Sequence, residues 1–164
     1  MPLSQEEIAL LNDTQFLFLK NVVSEKIVTK LRAIEKNIHK SFTLNADESL
    51  QKYGVKTAKI SKGEQYQGLP YFVLDYPRYF TRDEVVAFRV MLWWGKFLSC
   101  TLHLQGEVIK TLSPALLDRF LDDPNIYFCI NDNPWEYHYE DNNYQQLINL
   151  NPEAINKHLE EKKF

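Results

Sequence analysis

Apolar residues recur at Ile27, Leu31, Ile34 and Ile38, while Lys30, Arg32, Lys36 and Lys40 take the opposite side. The spacing i, i+4, i+7, i+11 is the stripe of an amphipathic helix. Ser24 stands where an N-cap belongs, so a helix is predicted from Ser24 to about Phe42, with its stripe laid on a sheet. Upstream, Ser4 and Glu7 form a capping box before Ile8 and predict one short helix. Asp13 or Thr14 caps a second short helix carrying Phe16, Leu17 and Leu19. Residues 43–55 have no clear period and read as a loop, with at most a turn of helix around Ser49.

Beyond that loop the period changes. Lys56–Ser61 and Leu69–Tyr76 are predicted strands joined by a loop over Gly63–Gly68. Pro70 and Pro77 bracket the second strand and suggest a sheet edge or strand ends. Leu98, Cys100, Leu102 and Leu104 alternate with Ser99, Thr101 and His103, the pattern of a strand over Phe97–Leu104. The segment before it supports two readings. Thr81 with Glu84 is a capping box and Gly95 a helix terminator, which together give a helix over 82–94. Yet Val85–Trp94 is apolar on every side and rich in β-branched and aromatic residues, which suits a strand. The strand reading is preferred: one helical turn over 82–85, then a hairpin closed by Gly95-Lys96 as a two-residue type II′ turn. Ser113-Pro114 predicts a short helix over 114–121, Asn125–Ile130 a fifth strand, and Asn131–Pro134 a turn. Asn151-Pro152 opens a final helix from 152 to about 162. The fold class is α+β: an antiparallel meander of about five strands packed against N-terminal and C-terminal helices, in a single globular domain over residues 1–164.

A two-residue loop sets the register. Trp94 then faces Phe97, Leu92 faces Ser99, Val90 faces Thr101 and Phe88 faces His103. On the other face Trp93 meets Leu98, Met91 meets Cys100, Arg89 meets Leu102 and Ala87 meets Leu104. That second face is almost wholly apolar and is predicted core, with Arg89 inside it. A guanidinium taken from water needs a carboxylate or a bound anion. Asp75, set among apolar residues in Phe72–Tyr76, is the first choice of partner and Glu64 the second. A structural Arg89–Asp75 pair leads, an anion-binding Arg89 follows, and an Arg89 reaching solvent at a strand end comes last. The first face mixes Phe88, Leu92 and Trp94 with Ser99, Thr101 and His103. That composition fits a ligand pocket, and fits better a helix-covered face with satisfied hydroxyls.

The 164 residues are 45% hydrophobic and 25% charged, enough for a core without disulfide or metal staples. The net charge of −3 gives no overall basic footprint, so no nucleic-acid partner is expected. Lys56, Lys59 and Lys62 cluster, as do Arg78 and Arg82, and both groups read as solvated surface. Gly68–Tyr76 carries three aromatic residues but lacks the basic and glycine positions of an RNA-recognition strand. The longest apolar run, Val85–Trp94, is too short to span a bilayer, and the first residues show no secretion signal. A cytoplasmic protein with no membrane partner is therefore expected. Cys100 and Cys129 lie in apolar stretches and are expected to be reduced and buried.

No phosphate-binding, dinucleotide-binding, nucleophile-elbow or zinc-protease motif occurs, and no cofactor is expected. Trp135–Asp141 is the densest polar-aromatic cluster and reads as a surface loop anchored by Trp135. His138, flanked by Glu136 and Glu140, would need His103 to complete a metal site. The spacing matches no ligand pattern, so no metal is expected. Ser99 and His103 share a strand face but lie about 13 Å apart, too far for a nucleophile and its base. The candidate ligand-binding residues are Arg89, Asp75, Trp94, His103, Trp135 and His138. The function expected is a non-catalytic binding domain. It holds a small molecule or a protein on its aromatic sheet face or on the loops around Tyr66, Tyr76, Tyr79 and Trp135. The alternative is a small enzyme with a histidine–carboxylate acid/base pair near His103 and His138.

Overall fold

The computed structural model describes residues 2–46, 48–54 and 56–162. Helix α1 (Gln5–Asn12) begins at the capping box, with Ser4 Oγ accepting from the Glu7 amide and the Glu7 carboxylate accepting from the Ser4 amide. Asp13 ends α1 and caps the next helix, its Oδ1 accepting from the Phe16 amide at 2.9 Å. Helix α2 then runs unbroken over Thr14–Asn45. The two helices predicted on either side of Ser24 are therefore one. Ser24 does not cap. Its hydroxyl donates to the Lys20 carbonyl at 2.7 Å, which satisfies the side chain inside the helix without breaking it. A short helix α3 (Glu48–Gln51) and a 3-10 turn (Lys52–Gly54) follow.

Four strands, β1 (Lys59–Tyr66), β2 (Leu69–Phe80), β3 (Val85–Trp93) and β4 (Leu98–Gln105), form an antiparallel meander in that order. The protein is thus α+β. The β1–β2 hairpin closes on Gln67 and Gly68, both at positive φ (47° and 78°), as a type I′ turn requires. The predicted six-residue loop is only this turn. β2 lies inside the sheet, contrary to the edge position that its prolines suggest. Pro77 is accommodated at a bulge between Asp75 and Arg78, where the ladder needs no donor. The Thr81–Glu84 capping pattern makes no helical turn. Thr81 Oγ1 accepts from the Glu84 amide, and the Thr81 amide donates to the Glu84 carbonyl, closing the β2–β3 connection.

The β3–β4 hairpin is real, but its loop has three residues, Trp94-Gly95-Lys96. The Trp93 amide donates to the Phe97 carbonyl and the Lys96 amide to the Trp93 carbonyl. Arg89 therefore faces Thr101 and Phe88 faces Leu102, one residue away from the predicted register. A slip of one residue carries every β4 side chain to the other face of the sheet. Ser99, Thr101 and His103 accordingly join Arg89 and Met91, while Cys100 and Leu102 join Phe88 and Val90.

The helix stripe docks as predicted. Leu31 is buried against Phe72, Leu74, Tyr76 and Val90, flanked by Ile27, Ile34 and Ile38. On the opposite sheet face Val73, Met91 and Trp93 bury together with Tyr137 from the C-terminal region. Helix α4 (Val108–Phe120) starts well before the predicted residue 114 and holds Pro114 inside it. The buried pair Val108 and Ile109 anchors its first turn. The predicted fifth strand forms as β5 (Tyr127–Cys129), but it pairs with β6 (Tyr144–Gln146) in a separate two-stranded sheet. Helix α5 (Pro152–Lys162) starts as predicted, with Asn151 Oδ1 accepting from the Glu153 amide. Among the described residues no helix is long and apolar enough to cross a membrane.

Candidate functional site

The site begins with the irregularity in β2. Between the pairs Asp75–Arg89 and Arg78–Ala87, β2 uses one residue more than β3 does. An uninterrupted strand would set Asp75 beside residues 77 and 79. The bulge instead brings Asp75, Arg78 and Phe80 to one face, the re-aiming of side chains that bulges commonly perform. Lys59 of β1 pairs in register with Asp75 and so shares that face.

Arg89 meets Asp75 as the sequence predicts. Its Nε donates to Oδ1 at 2.7 Å and its Nη2 to Oδ2 at 3.0 Å, a bidentate pair with side chains 18% and 8% exposed. Glu64, the second choice, pairs instead with Lys20 at 3.0 Å. The guanidinium lies over the Tyr137 ring, 4.7 Å from its centroid. Burial works to lower the Arg89 pKa, but the hydrogen bonds and charge of Asp75 outweigh it and the net shift is upward. Burial likewise pushes the Tyr137 phenol up to about 12, against the opposing pull of Arg89.

Beside this pair is an open cavity of about 570 Å³, whose walls include Lys59, Asp75, Arg78, Arg82, Arg89 and Trp135. Among the described residues four cations thus line the cavity with one carboxylate, which is already held by Arg89. Phe80 and Trp135 supply an aromatic wall, their ring centroids 6.0 Å apart. Lys59, Arg78 and Arg82, which read as separate patches of solvated surface in the sequence, are brought together by β1–β2 pairing and the bulge.

His103 stands one ring behind the cavity wall. Trp135 covers it at 4.4 Å between centroids, and the residue is only 6% exposed. Neither ring nitrogen has a hydrogen-bond partner among the described residues. Burial, reinforced by the Arg89 charge and opposed by Asp75, lowers its pKa from 6.5 to about 4. His103 is therefore neutral near pH 7.

The remaining candidates fall elsewhere. Trp94 lies across the sheet, stacked on Phe72 at 6.4 Å on the α2 side. His138 is buried, its carbonyl accepting from Asn143 Nδ2 at 2.7 Å and its ring 3.8 Å from the Glu140 carboxylate. Among the described residues no group of three or more His, Cys, Asp or Glu is placed to hold a metal ion. In the loop of residues 135–141 Trp135, 43% exposed, packs over His103 and Phe80, but it is not the most buried contact. The deeper anchor is Tyr137, buried on Met91 and Trp93, with its amide donating to the Tyr66 hydroxyl at 2.7 Å. Both cysteines are free, but Cys100 is exposed and Cys129 half-buried. They line an apolar cleft of about 440 Å³ between β4, α4 and the β5–β6 pair. The expected burial of Cys100 fails because β4 is the edge strand: Cys100 shares the face of Val90 but lies at the sheet margin, beside the cleft.

No protein-family model, curated protein or solved structure matches the chain.

Proposed function

We propose that this chain is a non-catalytic binding domain holding a small anionic ligand in the cavity at the bulged end of the β2–β3 face. One observation carries the reading. The bulge gathers Lys59, Arg78 and Arg82 around a cavity whose one carboxylate among the described residues, Asp75, is already engaged by Arg89. Positive charge left without a local counter-charge in a concave site concentrates anions from solution. Two arginines favour phosphate or carboxylate groups, whose oxygens match the guanidinium fork. Phe80 and Trp135 add a surface for an apolar or planar portion of the ligand. The enzyme reading has less support. His103 lacks a hydrogen-bonded carboxylate and is held neutral far below the pH at which a base is best poised. The His138 ring lies 3.8 Å from the Glu140 carboxylate without a hydrogen bond at Nδ1 among the described residues, and it does not line the cationic cavity.

The test is calorimetry and thermal shift with inorganic phosphate, pyrophosphate, citrate and a nucleoside monophosphate. At a concentration near 100 times its dissociation constant, a ligand that binds only the folded chain stabilises it by about 2.7 kcal/mol. Binding should weaken with added salt and vanish in the double variant Arg78→Ala, Arg82→Ala. Silence across the anion panel, or full binding by the double variant, would refute the reading.

A further inference from the structure

Helix α1 and the first turns of α2 are built for burial, yet among the described residues nothing covers them. Leu3, Ile8, Leu10, Leu11, Phe16, Leu17, Phe18, Leu19 and Val22 are all exposed, with Phe18 at 71% and Leu11 at 65%. No residue of α1 is buried, and the first buried residue of α2 is Leu31. Phe16-Leu17-Phe18-Leu19 is a run of four. At 3.6 residues per turn it covers every side of the helix, and a helix apolar all round belongs in an interior.

Charge identifies what covers it. Residues 1–19 carry three acids, Glu6, Glu7 and Asp13, and no Lys, Arg or His. That composition opposes docking on an anionic bilayer, for which interfacial helices carry lysine and arginine. The following stretch of α2 is basic: Lys20, Lys26, Lys30, Arg32, Lys36 and Lys40 stand against Glu25 and Glu35. An antiparallel, two-fold contact sets the acidic end of one chain beside the basic body of another, whereas a parallel contact sets like on like. The nine side chains are about half-exposed on average, and an apolar cluster of this kind forms the buried centre of a contact with a polar rim around it. We propose that this segment is the contact of a symmetric homodimer, in which α1 and the start of α2 pair antiparallel with the same segment of a second copy.

Sedimentation velocity on the full chain tests this. The wild type should be dimeric at about 50 μM. Phe18→Glu and Leu11→Glu should each raise the dissociation constant tenfold or more, about 1.4 kcal/mol. The melting curve of the dissociated monomer should still report a folded sheet, because neither residue touches the core. Reversing Glu6 and Glu7 to Lys should weaken self-association. Mixing that variant with one carrying Lys26→Glu and Lys30→Glu should restore a heterodimer. A wild type that is monomeric at this concentration, a dimer indifferent to Phe18→Glu, or a monomer that sediments with anionic vesicles would each overturn the proposal.

Discussion

The two faces of the central sheet come from the same strands and follow opposite rules. On the α2 side, Phe72, Leu74, Tyr76 and Val90 are closed over by Leu31 and its helix stripe, and the packing is apolar except for the Trp94 indole Nε1, which is buried there without a hydrogen-bond partner among the described residues. On the other side, alternate residues of the same strands place Asp75, Arg89, Ser99 and His103 beneath a loop. There Ser99 Oγ and both His103 nitrogens are buried without hydrogen-bond partners. Buried polar groups are ordinarily satisfied, so the first face is made chiefly for stability and the second, with more unsatisfied atoms, tolerates more strain. Natural proteins keep such a tolerance chiefly where a site is served.

The largest expected difference between the faces comes from Arg89. Replacing it with Met leaves the Asp75 carboxylate buried and unpaired and should cost about 3–5 kcal/mol. Adding Asp75→Leu should recover part of that loss. On the α2 side Leu74→Ala should cost about 2–5 kcal/mol, and no second substitution that merely removes a polar group should restore it. Urea denaturation of the single and double variants separates the two. A double variant as unstable as Arg89→Met alone would place the instability in packing and erase the contrast.

His103 gives a smaller, pH-dependent effect. Its pKa is lowered on folding, so the unfolded chain binds the proton first as pH falls through 6.5, and the folded chain only near 4. Stability should therefore decline as pH drops across that window, by on the order of 3 kcal/mol at its lower end. His103→Leu should remove this slope and leave the wild type the less stable of the two at pH 4.5. Equal slopes in both proteins would mean that His103 is not held neutral.

The smallest effects on stability belong to the cavity rim. Arg78→Ala and Arg82→Ala should each change stability by less than about 1 kcal/mol, as ion pairs near the surface do, while weakening anion binding singly and abolishing it together. A rim variant that unfolds the protein would make these residues part of its framework.

How much of this was legible in the sequence follows from local and non-local signals. The stripe of α2, the capping box at Ser4, the Asn151 cap and the Arg89–Asp75 pair could be read because each is set by spacing or by the cost of an unpaired charge. The face assignment of β4 was misread for a physical reason. Its apolar residues suggested a core side, yet β4 is an edge strand, and Leu98 and Leu102 are exposed at 59% and 44% while Ser99 and His103 are buried. Gly95 serves a two-residue or a three-residue loop equally well, so no local signal corrected the register. The cationic cavity was hidden for a different reason. Lys59, Arg78 and Arg82 converge only through strand pairing and a bulge at Pro77, which the sequence marks only with a proline.

The most direct measurement is an amide NMR titration of isotope-labelled protein with inorganic pyrophosphate. Saturable shifts should appear at Lys59, along Asp75–Arg82, and at Gln105 and Trp135, with the α2 face unchanged. Shifts confined to the apolar cleft or to α2, or none at all, would contradict an anion site on the bulged face.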